Sequence, residues 1–164
     1  MAAFSADDIR TQLATLLGRE AVQIRKTDEN PPQISVIDVV AAITGQTQSN
    51  SAVAFKRLQC DHPEVTANSS DFRFKGRGQR DTPVTDVRGI VEIIMLLPGQ
   101  EAARVRRQAA ELLVRYLGGD MRIIAEVCAL RGLQEELAAE RPDDPRRIFG
   151  EAVEASGSDG HMGE

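Results

Sequence analysis

Tryptophan is absent from the 164-residue chain, tyrosine occurs once and phenylalanine five times. A carbohydrate clamp or a stacking surface built on Trp and Tyr is therefore excluded. Cysteine is equally scarce. Cys60 and Cys128 make neither a disulfide framework nor a metal motif. Cys60 and His62 stand two apart, but the only other histidine is His161, and zinc needs four ligands. No apolar run approaches the roughly 18 residues of a transmembrane helix. The opening MAAFSADDIR carries acids where a secretory signal carries bases. The expected setting is intracellular: the nucleus in a eukaryote or a nuclear virus, the cytoplasm otherwise.

Enzymatic signatures are missing as well. GRGQRD lacks the spacing and the Lys-Ser/Thr of a phosphate-binding loop. There is no G-x-S-x-G, and no second histidine outside the terminus to complete a triad. The acidic pairs Asp7/Asp8 and Asp143/Asp144 fall in caps and turns. The chain is accordingly read as a non-enzyme without cofactor, catalytic residues or metal.

Charge is present and uneven. The formal net charge of −5 comes from 20 basic and 25 acidic residues, and 17 of the bases are arginine. Residues 50–116 hold 11 basic against 8 acidic residues, net +3. Residues 117–164 hold 5 against 11, net −6. Arginine's planar fork of donors suits phosphate and base edges. A mildly basic middle with an acidic end points to different partners along the chain.

Periodicity and punctuation give the element order. Residues 5–19 predict a short helix with Ile9, Leu13, Leu16 and Leu17 on one face. AVQIR (21–25) and QISVI (33–37) alternate as strands around a proline-containing turn. Asp38 opens a helix that Gly45 stops, and Asn50 or Ser51 caps the next one. That helix turns Val53 or Ala54 inward with Leu58, and Lys56 and Arg57 outward. Phe72–Lys75 and Thr82–Thr85 predict a second hairpin, a basic wing anchored by Phe72 and Phe74 and carrying Arg73, Lys75, Arg77 and Arg80. Residues 86–97, capped by Asp86, form a helix buried on most sides and ended by Pro98-Gly99. In the helix over 100–117, Val105, Ala109, Leu112, Leu113, Tyr116 and Leu117 make a core stripe opposite Arg104, Arg107, Glu111 and Arg115. A further helix spans about 120–139, bent at Gly132. A single turn follows near Ile148–Val153, and then a disordered Gly/Ser-rich end. The fold class is α+β: a small helix-rich domain with one or two short hairpins and a helical, acidic C-terminal extension. The divisions are 1–20, 21–119, 120–150 and 151–164.

Three segments in this order resemble a known family: ISVIDVVAAITG, NSAVAFKRL and TPVTDVRGIVEIIMLLPGQEAARVRRQAAELLVRYLGG. Asp38–Gly45 is similar to the "D-V-A-x-A-L-G" helix of the Bro-N domain of baculovirus repeated-ORF proteins and phage antirepressors, which is related to KilA-N. Gly89–Ile94 and Leu117-Gly118-Gly119 follow that family's later helices. The resemblance covers residues 21–119. It implies a DNA-binding regulatory module of viral or mobile-element type, acting on transcription in the manner of an antirepressor. Its expected contacts with double-stranded DNA are Asn50, Ser51, Lys56, Arg57, Arg73, Lys75, Arg77 and Arg80, with Arg104 and Arg107 as further candidates. The alternative is a protein-interaction or dimerisation module without DNA, with residues 120–140 as a homodimer seam.

Overall fold

A computed structural model describes residues 24–76 and 80–159. Strand β1 (Ile34–Ser35) leads directly into helix α1 (Val36–Thr44). The switch is made by Ser35, whose hydroxyl accepts from the Asp38 amide at 3.3 Å. Asp38 therefore lies one turn inside the helix and does not open it. Val36 and Ile37, expected in a strand, are helical for the same reason. Gly45 ends α1 at φ 68°, the left-handed conformation that favours glycine.

Helix α2 (Gln48–Asp61) is capped by Thr47, whose hydroxyl accepts from the Asn50 amide at 3.2 Å. The expectation that Asn50 or Ser51 is the cap is thus corrected by one turn. Ser51, Phe55 and Leu58 face inward, whereas Val53 is half exposed. The short α3 (Pro63–Thr66) precedes β2 (Ser70–Arg73) and β3 (Asp81–Thr85). The sheet has the order β1-β3-β2, all antiparallel. The wing hairpin is present. Of the hairpin expected from 21–25 and 33–37, residues 21–23 lie outside the described residues. The described part pairs antiparallel through one isolated bridge, Lys26 with Ile34, flanked by the Ser35 N–H donating to the Arg25 carbonyl at 2.9 Å and the Thr27 N–H to the Gln33 carbonyl at 2.8 Å. The Arg25 amide donates to the Asp38 carboxylate at 2.9 Å instead of to a neighbouring strand.

Asp86 caps α4 (Val87–Leu96) by accepting from the Gly89 amide. A Cβ on Gly89 would overlap the Thr85 hydroxyl, so only glycine lets this first turn close onto the end of β3. Helices α5 (Gln100–Leu117), α6 (Arg122–Glu140) and α7 (Arg147–Asp159) complete the chain. Helix α6 runs unbroken through Gly132. Helix α7 extends a full 13 residues where a single turn and a disordered end were expected, so the helical part reaches Asp159.

The core is assembled from β1, α1 and α4. Ile34, Val36, Val39, Val40, Ile90, Ile93 and Ile94 are all but sealed from solvent, and Phe55, Leu58, Ala102 and Val105 close over them. Ile148 of α7 joins the same cluster with Phe149 beside it. The C-terminal extension therefore folds back onto α4. One expectation fails in an informative way. Of the stripe read along α5, Val105 is buried, while Leu112, Leu113, Tyr116 and Leu117 are all more than half exposed. Arg115, expected on the outward face, is only 13% exposed. Among the described residues, no helix is long and apolar enough to cross a membrane.

Candidate nucleic-acid interface

Helix α2 and the β2–β3 hairpin do not pack flush. They bound an open groove of about 950 Å³, into which Lys56 and Gln59 face from α2 and Asp71, Arg80 and Asp81 from the hairpin. Arg25, Asp38 and Gln48 line it as well.

Asp38 is the pivot of that inner group. Its carboxylate accepts from Arg25 Nε at 2.9 Å, Arg25 Nη2 at 3.1 Å and Gln48 Nε2 at 3.1 Å, besides the Arg25 amide. Burial alone pushes this carboxyl up. The hydrogen bonds and charge of Arg25, with Gln48, outweigh burial and hold it below the usual carboxylate range. The Arg25 guanidinium is raised in turn by Asp38. It also lies 4.8 Å over the ring of Phe74, which meets Phe72 edge-on at 4.8 Å and 67°. The loop side of the wing, just past the last residue of β2, is thereby tied to α1 through one arginine. Phe72 and Phe74 were expected as core anchors. They form a surface pair instead, with Phe72 exposed and Phe74 half-buried under the Arg25 guanidinium.

The expected contact residues sort into three groups. Lys56, Arg57, Lys75 and Arg80 are exposed on the two elements that bound the groove, and Lys56 and Arg80 face into it. Arg73 is exposed on β2 and paired with Asp81 opposite at 3.2 Å. Asn50 is exposed on the first turn of α2. Arg77 lies outside the described residues. Ser51 is corrected: it is completely buried, its hydroxyl has no hydrogen-bond partner among the described residues, and no phosphate can reach it. Arg104 and Arg107 sit on α5, which packs on α4 and α1 and contributes nothing to the groove. Arg104 is paired with Glu101 at 3.5 Å.

The groove mixes both signs. Arg25 answers Asp38 and Arg73 answers Asp81, which leaves Lys56 and Arg80 against Asp71. Sequence reasoning missed Arg25 and Gln48. Arg25 read as a strand residue, and nothing in AVQIR announces a carboxylate 13 positions later. Among the described residues, no group of three or more His, Cys, Asp or Glu is placed to hold a metal ion. Comparison with family models, curated proteins and solved structures finds no match for the chain.

Proposed function

We propose that the chain is a double-stranded-DNA-binding regulatory module that grips the phosphate backbone with α2 and the β2–β3 wing. The observation that carries this reading is the set Lys56, Arg57, Lys75 and Arg80. All four are exposed on the two elements that bound one groove, Lys56 and Arg80 line it, and none makes an ion pair among the described residues. Cations on rigid elements position a duplex by its phosphates. The Bro-N resemblance supplies the regulatory, antirepressor-like role. The acidic groups within the groove imply moderate affinity that falls steeply with salt.

The test is a titration of a mixed duplex pool at increasing salt. Four phosphate contacts give a slope of log affinity on log salt of about −4, taking roughly 0.9 per contact. The triple variant Lys56→Glu, Arg57→Glu, Arg80→Glu abolishes binding, and Arg104→Glu with Arg107→Glu leaves most of it. Absence of binding at about 50 mM salt, where phosphate-driven affinity is strong, or equal loss from both variants, refutes the reading. A second reading, a protein-docking module, is favoured by one separate feature: the apolar surface at the α5–α6 corner.

A further inference from the structure

The second half of α5 protrudes from the domain. Every residue from Ala110 to Val114 is exposed, whichever side of the helix it occupies. Helix α6 packs on α7 through Leu133 and Leu137 and hardly touches α5 beyond the corner. The first half of α6 accordingly leaves Ile124, Ala125, Val127 and Cys128 exposed, with Ile123 and Glu126 half-buried. Leu112, Leu113, Tyr116 and Leu117 on α5, and Ile124 and Val127 on α6, are between 51% and 74% exposed. A helical stretch this apolar on several sides is one that something covers.

The corner is rigid. Arg115 donates to Asp120 at 2.8 Å and forks onto Glu126 at 2.7 and 3.0 Å, joining α5, the turn and α6. Arg122 foremost, and then Arg115, hold Asp120 far below the usual carboxylate range, and Glu126 with Asp120 raises Arg115 above its own. The two bare faces are thus presented in one set relation.

We infer that this arm is the interface of a symmetric homodimer, covered by the arm of a second copy of the chain. Two observations select a copy over other occupants. The first is size. At roughly 150–250 Å² for an aromatic side chain, with Leu, Ile and Val at the low end of that range, the six residues leave on the order of 600 Å² bare. That is at the top of the roughly 300–600 Å² of the largest patch on typical monomers and approaches the roughly 800 Å² per partner of a stable interface. The second is charge. The border carries Arg107, Arg115 and Arg122 against Glu111, Asp120 and Glu126, so it is neutral in a chain of net charge −5. A two-fold interface sets a patch against itself, and a border carrying both signs equally meets its own copy without net repulsion. The seam expected over 120–140 moves accordingly to about 112–127, because Leu133 and Leu137 are already spent on α7. The dimer does not depend on the DNA reading.

Sedimentation equilibrium of the full chain over about 1–100 μM, the range in which interfaces of this size without strong anchors associate, decides the matter. The expected mass rises from one chain to two. Leu113→Glu with Leu117→Glu raises the dissociation constant at least about 100-fold, and circular dichroism stays unchanged because both side chains are more than half exposed. Should that variant lose helicity, Leu117→Ala serves, with a loss of roughly 10-fold. A single-chain mass throughout overturns the proposal. So does association that ignores both variants. A monomer whose dye-binding apolar surface appears only after Leu13→Glu and Leu16→Glu overturns it too, and assigns the cover to the chain's own residues 5–19.

Discussion

Two arginine–aspartate pairs lie at the same groove, one at its inner end and one on the hairpin. Arg25–Asp38 and Arg73–Asp81 have similar bond lengths, 2.9 and 3.2 Å. They differ in what surrounds the acid. The Asp38 side chain is 4% exposed and accepts four hydrogen bonds, whereas that of Asp81 is 59% exposed and accepts one. Water competes for Asp81 and is excluded from Asp38. The same two residue types thus make a structural joint in one region and a solvated surface pair in the other. The lesson is that burial of the anion, not the presence of an ion pair, decides which contact organises the site.

The largest break in that comparison is Asp38→Ala. It leaves the Arg25 amide and guanidinium and the Gln48 amide group without their shared acceptor. Breaking a buried pair costs about 3–5 kcal/mol, and the partial exposure of Arg25 lowers the expectation to about 2–3 kcal/mol. Urea denaturation measures it. Native-state hydrogen exchange should quicken across β2 and β3 in the same variant, since Arg25 no longer holds its place over Phe74. A cost below about 1 kcal/mol would put the inner pair in the same class as a surface pair.

Acid sharpens the comparison by the same route. Burial raises the Asp38 carboxyl, but Arg25 and Gln48 lower it further, so its folded value lies below its unfolded one. A depressed acid contributes stability that is present above the unfolded value, about 4, and is lost as pH falls through the folded value. Asp120 and Asp144 are also lowered, by Arg122 and Arg146 foremost, and weaken in the same window. The Asp38 share is therefore read as a difference: Asp38→Asn is less stable than the parent at neutral pH, and the gap narrows below about pH 4. A gap that stays constant with pH would mean that the carboxylate's charge is irrelevant to the joint.

What was legible in the sequence follows the range of the forces involved. Local signals read correctly: Asp86 as a cap, Gly45 and Pro98-Gly99 as stops, the helix over 87–96 from its capped, nearly all-apolar run and the helix over 100–117 from its 3.6-residue rhythm. Near misses came where two residues compete for one role within a turn. Ser35 and Asp38 both cap well, and so do Thr47 and Asn50. Local chemistry does not rank them. The end of the last helix was missed because Ser, Gly and Asp at 156–159 are poor helix formers, and α7 gains its hold from Ile148 on the core of α4. The stripe on α5 was misread for a different reason. Apolar spacing tells that a face is covered and is silent on what covers it. At the site, Lys56, Arg57, Lys75 and Arg80 were legible as exposed bases. Arg25–Asp38 was not, because it joins segments 13 residues apart through a three-dimensional closure.

The smallest effect belongs to Arg73→Ala. Arg73 and Asp81 face each other at the end of the hairpin ladder, both more than half exposed, joined by one hydrogen bond. An exposed pair of this kind is worth about 0.2–1 kcal/mol, and Arg73→Ala is expected to cost under about 0.5 kcal/mol in thermal or urea unfolding. A double-mutant cycle with Asp81→Ala isolates the pair itself, since the single changes also alter β-propensity and side-chain entropy. A coupling above about 1 kcal/mol would mean that the hairpin end is held by charge as firmly as the inner joint, and solvent exposure would no longer explain why the two pairs differ. A coupling near zero leaves Arg25 over Phe74, the residue next to Arg73, as the contact that ties this end of the hairpin to α1.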